Sequence, residues 1–258
     1  MLKRPSSLNK NNARLPQDNS IIASSSTSPI DALYLAAIFD PVFTASFPTT
    51  RLVQPITLFQ AMLRAFLPPQ QTPPQNAYLM GLDTVLKRYK DRVIVVFPEC
   101  TTSNGRGILP FSPSLLTAPP KTKVFPVHLR YTAPDITTPI PGSIFTFLWN
   151  LCSKPTHCIR IRIAEAVFNT SLAPSSISSG KASTYKTNYF DSLTDDTASS
   201  AETLVGDDSE GPTVTREEKA LLDKIGETLA RLGRVKRVGL GVKDKGDFVK
   251  HWTRSRRR

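Results

Sequence analysis

The segment best equipped for chemistry is Phe97-Pro-Glu-Cys-Thr-Thr-Ser-Asn-Gly-Arg-Gly-Ile-Leu-Pro-Phe111. It holds one carboxylate (Glu99), three hydroxyls (Thr101, Thr102, Ser103), a glycine-containing turn and a guanidinium (Arg106). Backbone amides in such a turn, with hydroxyls and an arginine, can cradle a phosphate. The same composition also describes an ordinary strand-to-helix loop with capping residues. Cys100 could be a reactive thiol, but no histidine lies near it in sequence to activate it. A second polar stretch is Ser24-Ser-Ser-Thr-Ser-Pro-Ile-Asp31. Its serines, Thr27 and Pro29 favour a turn, and Asp31 can cap a following helix.

The elements that must position these segments are readable as apolar runs. Arg92–Phe97 is continuous in the manner of a central strand buried on both faces. A loop directly after it stands where open α/β sheets usually bind ligands. Ile21–Ala23 is a short strand, followed by a helix over Asp31–Phe39 that Asp40-Pro41 ends. Val42–Phe47 reads as a strand. Ile56–Leu67 and Asn76–Lys90 read as amphipathic helices around the proline-rich stretch Pro68–Pro74. Lys123–Tyr131 and His157–Phe168 read as further strands. Thr215 and Glu218 form a capping box for a helix whose apolar face is Ala220, Leu221, Ile225 and Leu229, with Gly233 as its stop. Helices alternating with strands indicate an α/β fold, a single mixed sheet flanked by helices.

The organisation expected is a disordered leader over 1–19, a domain over 20–168, a low-complexity and mostly disordered insertion over 169–213, a helix over 214–233 and a basic tail over 234–258. The net charge is +12 over 258 residues. Much of it is terminal: from Arg231 to Arg258, eleven Lys or Arg face only Asp244 and Asp247. Such a tail is either a solvated segment or a contact for an anionic membrane surface. Nucleic acid ranks last as a partner, because no basic-aromatic motif accompanies the charge. Three cysteines without paired spacing argue against a disulfide framework and fit a reduced, cytosol-facing setting. No metal site is expected from three cysteines and three histidines. The polar N-terminus lacks the apolar region of a secretory signal. Ile140–Cys152 is apolar but too short to span a bilayer.

Phe-Pro-Glu-Cys-Thr-Thr-Ser-Asn-Gly-Arg resembles the signature of glycerophospholipid acyltransferases of the lysophosphatidate type, in the fungal-like branch reading Glu-Gly-Thr-Thr-x-Asn-Gly-Arg. The resemblance runs over about residues 21–168. It implies that Glu99, Thr101, Thr102, Ser103 and Arg106 hold the phosphate of the acyl acceptor, and that Pro126, in Lys123–Tyr131, shapes the acceptor pocket. Cys100 stands where the family has glycine, and is strained if that backbone needs positive φ. The family's histidine, five positions before an aspartate, aligns with Ser26, and its aspartate with Asp31. In the family the histidine takes the proton of the acceptor hydroxyl and the aspartate orients it. Serine at neutral pH is no such base. The family's central Gly-x-x-aromatic-Ile-x-Arg element is not evident between residues 48 and 90. A polar leader stands where the family has apolar helices, so the chain is expected to be a truncated or reduced member.

The function implied is acyl transfer from acyl-CoA to a lysophospholipid, impaired at Ser26, on the cytosolic face of the endoplasmic reticulum or a lipid droplet. It uses acyl-CoA as co-substrate and no cofactor. The alternative is a non-catalytic relative that binds lipid or a partner in the same pocket. His128 is the nearest histidine in this half of the chain, and otherwise a partly buried strand residue. His157 and His251 read as surface residues.

Overall fold

The computed structural model describes residues 15–132, 134–138, 140–142, 144–170 and 214–255. Most of the expected leader and insertion, and the last three residues of the basic segment, lie outside the described residues. Those described belong to one compact unit.

Strands β1 (Ile21–Ser24), β2 (Val42–Ala45), β4 (Ile94–Val96) and β6 (Lys123–Tyr131) form the parallel centre of a seven-stranded mixed sheet in the order β3-β2-β4-β1-β6-β7. β3 (Gln54–Ile56) is antiparallel on one edge, and β7 (Ile159–Ile163) and β8 (Val167–Phe168) both run antiparallel to β6. All of β1, β2 and β4 is buried, the condition that selects unbroken apolar runs over alternation.

Two helical layers cover the sheet. On one face Ile22, Phe43, Val95, Val127 and Leu129 pack with Ala32 and Leu35 of α1 (Pro29–Phe39) and with α2 (Leu58–Arg64). On the other, Ile21, Ala23, Ile94, Val96 and Val124 meet α3 (Leu82–Arg88) and Leu221, Leu222 and Ile225 of α5 (Arg216–Gly233). Helix α4 (Ile144–Cys152) joins through Phe147, whose ring meets Phe66 edge-on at 5.2 Å. The Arg51 guanidinium clamps Glu218 of α5 bidentately at 2.6 and 2.9 Å.

Several boundaries move from expectation. The helix expected over Asn76–Lys90 begins only at Leu82, because Met80 pairs with Val53 through two backbone bonds and Gly81 is the cap. His157–Phe168 divides into β7 and β8. The capping box at Thr215 and Glu218 is present. Gly233, expected to stop α5, is its last helical residue, and Arg234 takes the left-handed conformation (φ 54°). Glycine is needed at 233 for another reason: a Cβ there would lie 2.5 Å from His128 Nε2.

The basic segment after Gly233 is built into the fold. Lys236–Arg237 forms β9, parallel to β5 (Gly107–Ile108), and Val242–Ser255 forms α6.

Candidate active site

The two polar stretches meet at the carboxyl ends of β1 and β4, which are adjacent parallel strands. The Ser103 amide donates to the Ser26 carbonyl at 2.8 Å. The Ser25 amide bonds the Val127 carbonyl, and Ser25 Oγ accepts the Leu129 amide, so β6 anchors the turn. Buried hydroxyls thus satisfy a backbone that has left the sheet ladder.

Asp31 is 1 % exposed. It is the third residue of α1, with Ser28 as the cap; the two form a capping box. Its Oδ2 accepts the amides of Thr27 (2.7 Å) and Ser28 (2.9 Å) and the Thr27 hydroxyl (3.1 Å). Its Oδ1 accepts the Tyr131 hydroxyl. Burial pushes its pKa up to about 6, against the pull of these donors. The carboxyl therefore serves the turn and Tyr131, and it accepts nothing from Ser26 among the described contacts.

Glu99 is equally buried (1 % exposed). Its Oε2 accepts the Leu109 amide at 3.2 Å, and the Ser26 amide also favours its charged form. Burial prevails and pushes its pKa up to about 8, so at neutral pH the group is mostly a neutral acid. Glu99 lines neither of the cavities beside the loop.

Those cavities divide the remaining residues. One, of about 40 Å³, is bounded by Ser26, Ser28, Thr44, Arg64, Cys100, Thr101 and Thr102. That is room for water rather than a head group. The other, of about 190 Å³, is bounded by Thr27, Asn104, Gly105, Arg106, Arg130 and Tyr131. Thr101 and Arg106, expected together, open into different cavities. Ser103 sits between them in sequence, its Oγ accepting the Gly105 amide. Pro126 lines neither cavity; it lies mid-strand, opposite Ala23 of β1.

The cation beside Thr101 is instead Arg64, from the last turn of α2. Its guanidinium stacks over the Phe47 ring at 4.9 Å, and burial lowers its pKa. A second cation arrives from α6. Lys245 Nζ donates to Thr101 Oγ1 (2.8 Å), to Thr102 Oγ1 (3.1 Å) and to the Thr102 carbonyl. Thr102 Oγ1 in turn donates to the Thr138 carbonyl at 2.6 Å. Burial brings the Lys245 pKa down to about 8, partly opposed by Glu99. One sequence signal points to Arg64: it and Arg51 are the only cations between residues 48 and 86. For Lys245, 144 residues from Thr101, there was none.

Cys100 has φ 58°, the left-handed region that favours glycine. Its thiol reaches the cavity wall, but burial pushes its pKa up to about 12, so it is a neutral thiol. His128 is 2 % exposed and lies against Gly233 on the α5 face, across the sheet from the α2 side that bears Arg64. Burial, then Arg130 and Arg162, bring its pKa down to about 4. No cluster of metal-ligating side chains occurs among the described residues.

Comparison with known proteins gives one relative. Over 148 residues the chain is 26% identical to the Schizosaccharomyces pombe (strain 972 / ATCC 24843) protein named "Putative lysophosphatidic acid:oleoyl-CoA acyltransferase". The likeness is to an acyltransferase. It takes in 57% of this chain and 49% of that protein, so the chain spans about half the length of the curated relative it matches. No protein-family model matches the chain. No solved structure matches it either.

Proposed function

We propose that the chain transfers an acyl group from acyl-CoA to a lysophospholipid of the lysophosphatidate type, slowly, in glycerophospholipid synthesis or remodelling. The setting proposed is an anionic membrane surface on the cytosolic face of the endoplasmic reticulum or a lipid droplet. One observation carries the reading: the Ser26 turn and the Thr101–Arg106 loop are tied together at the ends of adjacent parallel strands. The signature that the loop resembles would put acceptor and donor there, and the likeness to the fission-yeast protein supports the reaction class.

In the reaction the acceptor hydroxyl oxygen bonds the thioester carbonyl carbon, the C–S bond breaks, and the hydroxyl proton ends on the CoA thiol. Ser26 cannot take that proton on the way. General-base help is worth about 100- to 10,000-fold, so transfer here proceeds by positioning alone and is slower by that order. Arg64 and the Thr101 and Thr102 hydroxyls supply the phosphate-facing groups once Lys245 leaves the threonines, because the space beside them otherwise holds only water. Arg106, with Arg130, offers a second anion-facing pair.

A non-catalytic, lipid-binding relative is the second reading. It is favoured by the seating of Lys245 on Thr101 and Thr102, which leaves only a water-sized space beside them. The test is transfer from labelled oleoyl-CoA to lysophosphatidate by purified wild type and Ser26→His. Slow turnover that Ser26→His raises supports the enzyme. No turnover in either, with retained lysophosphatidate binding, establishes the second reading.

A further inference from the structure

Helix α4 is nine residues long and carries no charged side chain. Phe147 alone is buried on it. Phe145 (88 % exposed), Trp149 (77 %) and Leu148 (47 %) face outward. Their spacing of three and four residues puts them on one stripe. At about 13 Å, the helix is far too short to cross a hydrocarbon core of about 30 Å.

Helix α6 carries a second outward aromatic pair. Phe248 and Trp252 stack with ring centroids 6.0 Å apart and are 53 % and 43 % exposed. Seven Lys or Arg and two Asp occupy residues 242–258, so the pair sits in a strongly basic segment. Aromatic residues backed by cations are the composition of a helix lying in a membrane interface.

The two helices flank the same short segment. α4 holds Phe66 through the Phe147 ring, and Gly142, just before the helix, donates its amide to the Phe66 carbonyl at 3.0 Å. α6 reaches Pro69, 3.9 Å from where a Cβ of Gly246 would stand. Between them, Leu67 is 49 % exposed, and residues 67–70 line a cleft that also contains Arg64, Cys100 and Thr101.

We propose that α4 and α6 together dock the protein in the plane of an anionic phospholipid bilayer, setting the cleft of Arg64 and Thr101 at the lipid surface. The basic segment alone would give electrostatic attraction; α4 adds apolar insertion beside the cleft. Anionic lipid is the occupant chosen because the charge of the α6 segment complements it, whereas a second copy would meet like charge at α6. The inference sharpens the membrane contact proposed above. Its readout needs no acyl transfer, so either can fail without the other.

Trp149 and Trp252 are the two tryptophans of the chain, one exposed on each helix. The experiment uses the full chain, its Trp149→Phe and Trp252→Phe variants, and vesicles of phosphatidylcholine alone or mixed with phosphatidylserine. Each remaining tryptophan is expected to shift to the blue on anionic vesicles and to be quenched by lipids brominated on their acyl chains. Phe145→Ser with Trp149→Ser is expected to weaken co-sedimentation by about 10-fold or more, from the apolar burial lost, with an unchanged melting temperature. Quenching of Trp252 without Trp149 would overturn the role of α4. A concentration-dependent dimer that Phe145→Ser dissociates, without vesicle binding, would assign the surface to a second copy and overturn the proposal.

Discussion

Replacing Cys100 by glycine and by alanine tests the backbone on which the candidate site is built. Both changes delete the thiol and its weak contact to the Pro98 carbonyl at 3.6 Å, so that loss cancels in the comparison. At an ordinary position alanine is the more stable by about 0.5–1 kcal/mol, because glycine loses more freedom on folding. At φ 58° the order should invert. A Cβ in the left-handed region costs roughly 1–2 kcal/mol. Subtracting one from the other leaves Cys100→Gly more stable than Cys100→Ala by about 1 kcal/mol, or roughly 2–4 °C in melting temperature for a domain of this size. Urea denaturation should show a shifted midpoint at unchanged slope. Alanine at least as stable as glycine would show that the loop after β4 does not hold this conformation, and the arrangement of Thr101 and Thr102 would fall with it.

The raised pKa of Glu99 makes stability fall as pH rises. The folded state holds a proton that the unfolded chain releases near pH 4.5, so the contribution is complete below that value and lost through about pH 8. Asp31, raised to about 6, acts in the same direction at lower pH. Between pH 6 and 8, wild type should lose stability on the order of a few kcal/mol in urea denaturation, and a Glu99→Gln variant should show a much flatter profile; equal slopes would remove the assignment. Lys245→Ala deletes three bonds to Thr101 and Thr102, so amide exchange over α6 should quicken by about 10- to 100-fold. Unchanged exchange there would mean that β9 and the buried Val242 hold the helix without the lysine. Arg64→Ala should lower lysophosphatidate binding by about 10-fold or more, and Arg106→Ala by less, because Arg64 is the guanidinium beside Thr101. The reverse order by calorimetry would return the phosphate to Arg106 and its cavity.

The central strands were legible because a strand buried on both faces must be apolar throughout. Ile21–Ala23, the core of Arg92–Phe97 and all of Lys123–Tyr131 fall where those runs predict. The capping box at Thr215 was legible because it closes within four residues. The loop after β4 was legible as a candidate because its residues are contiguous, and the positive φ at Cys100 is the strain expected of a side chain where the resembled signature has glycine. Asn76–Gly81 was misread as helix because Val53, 27 residues away, claims Met80 as an antiparallel partner.

Sequence alone determined the α/β class, the mixed sheet with its buried central strand, and the two polar segments; that those segments meet was decided by the fold. The sequence also determined that no histidine occupies position 26. Only the tertiary structure decided which cation stands beside Thr101. Arg106 is five residues from it and faces another cavity, whereas Arg64 and Lys245 arrive from 37 and 144 residues away. Tyr131 reaches Asp31 across 100 residues. The physical reason is that local periodicity records which face of an element is buried. It does not record which distant side chain will share that burial, and the partners of buried charge are chosen by packing.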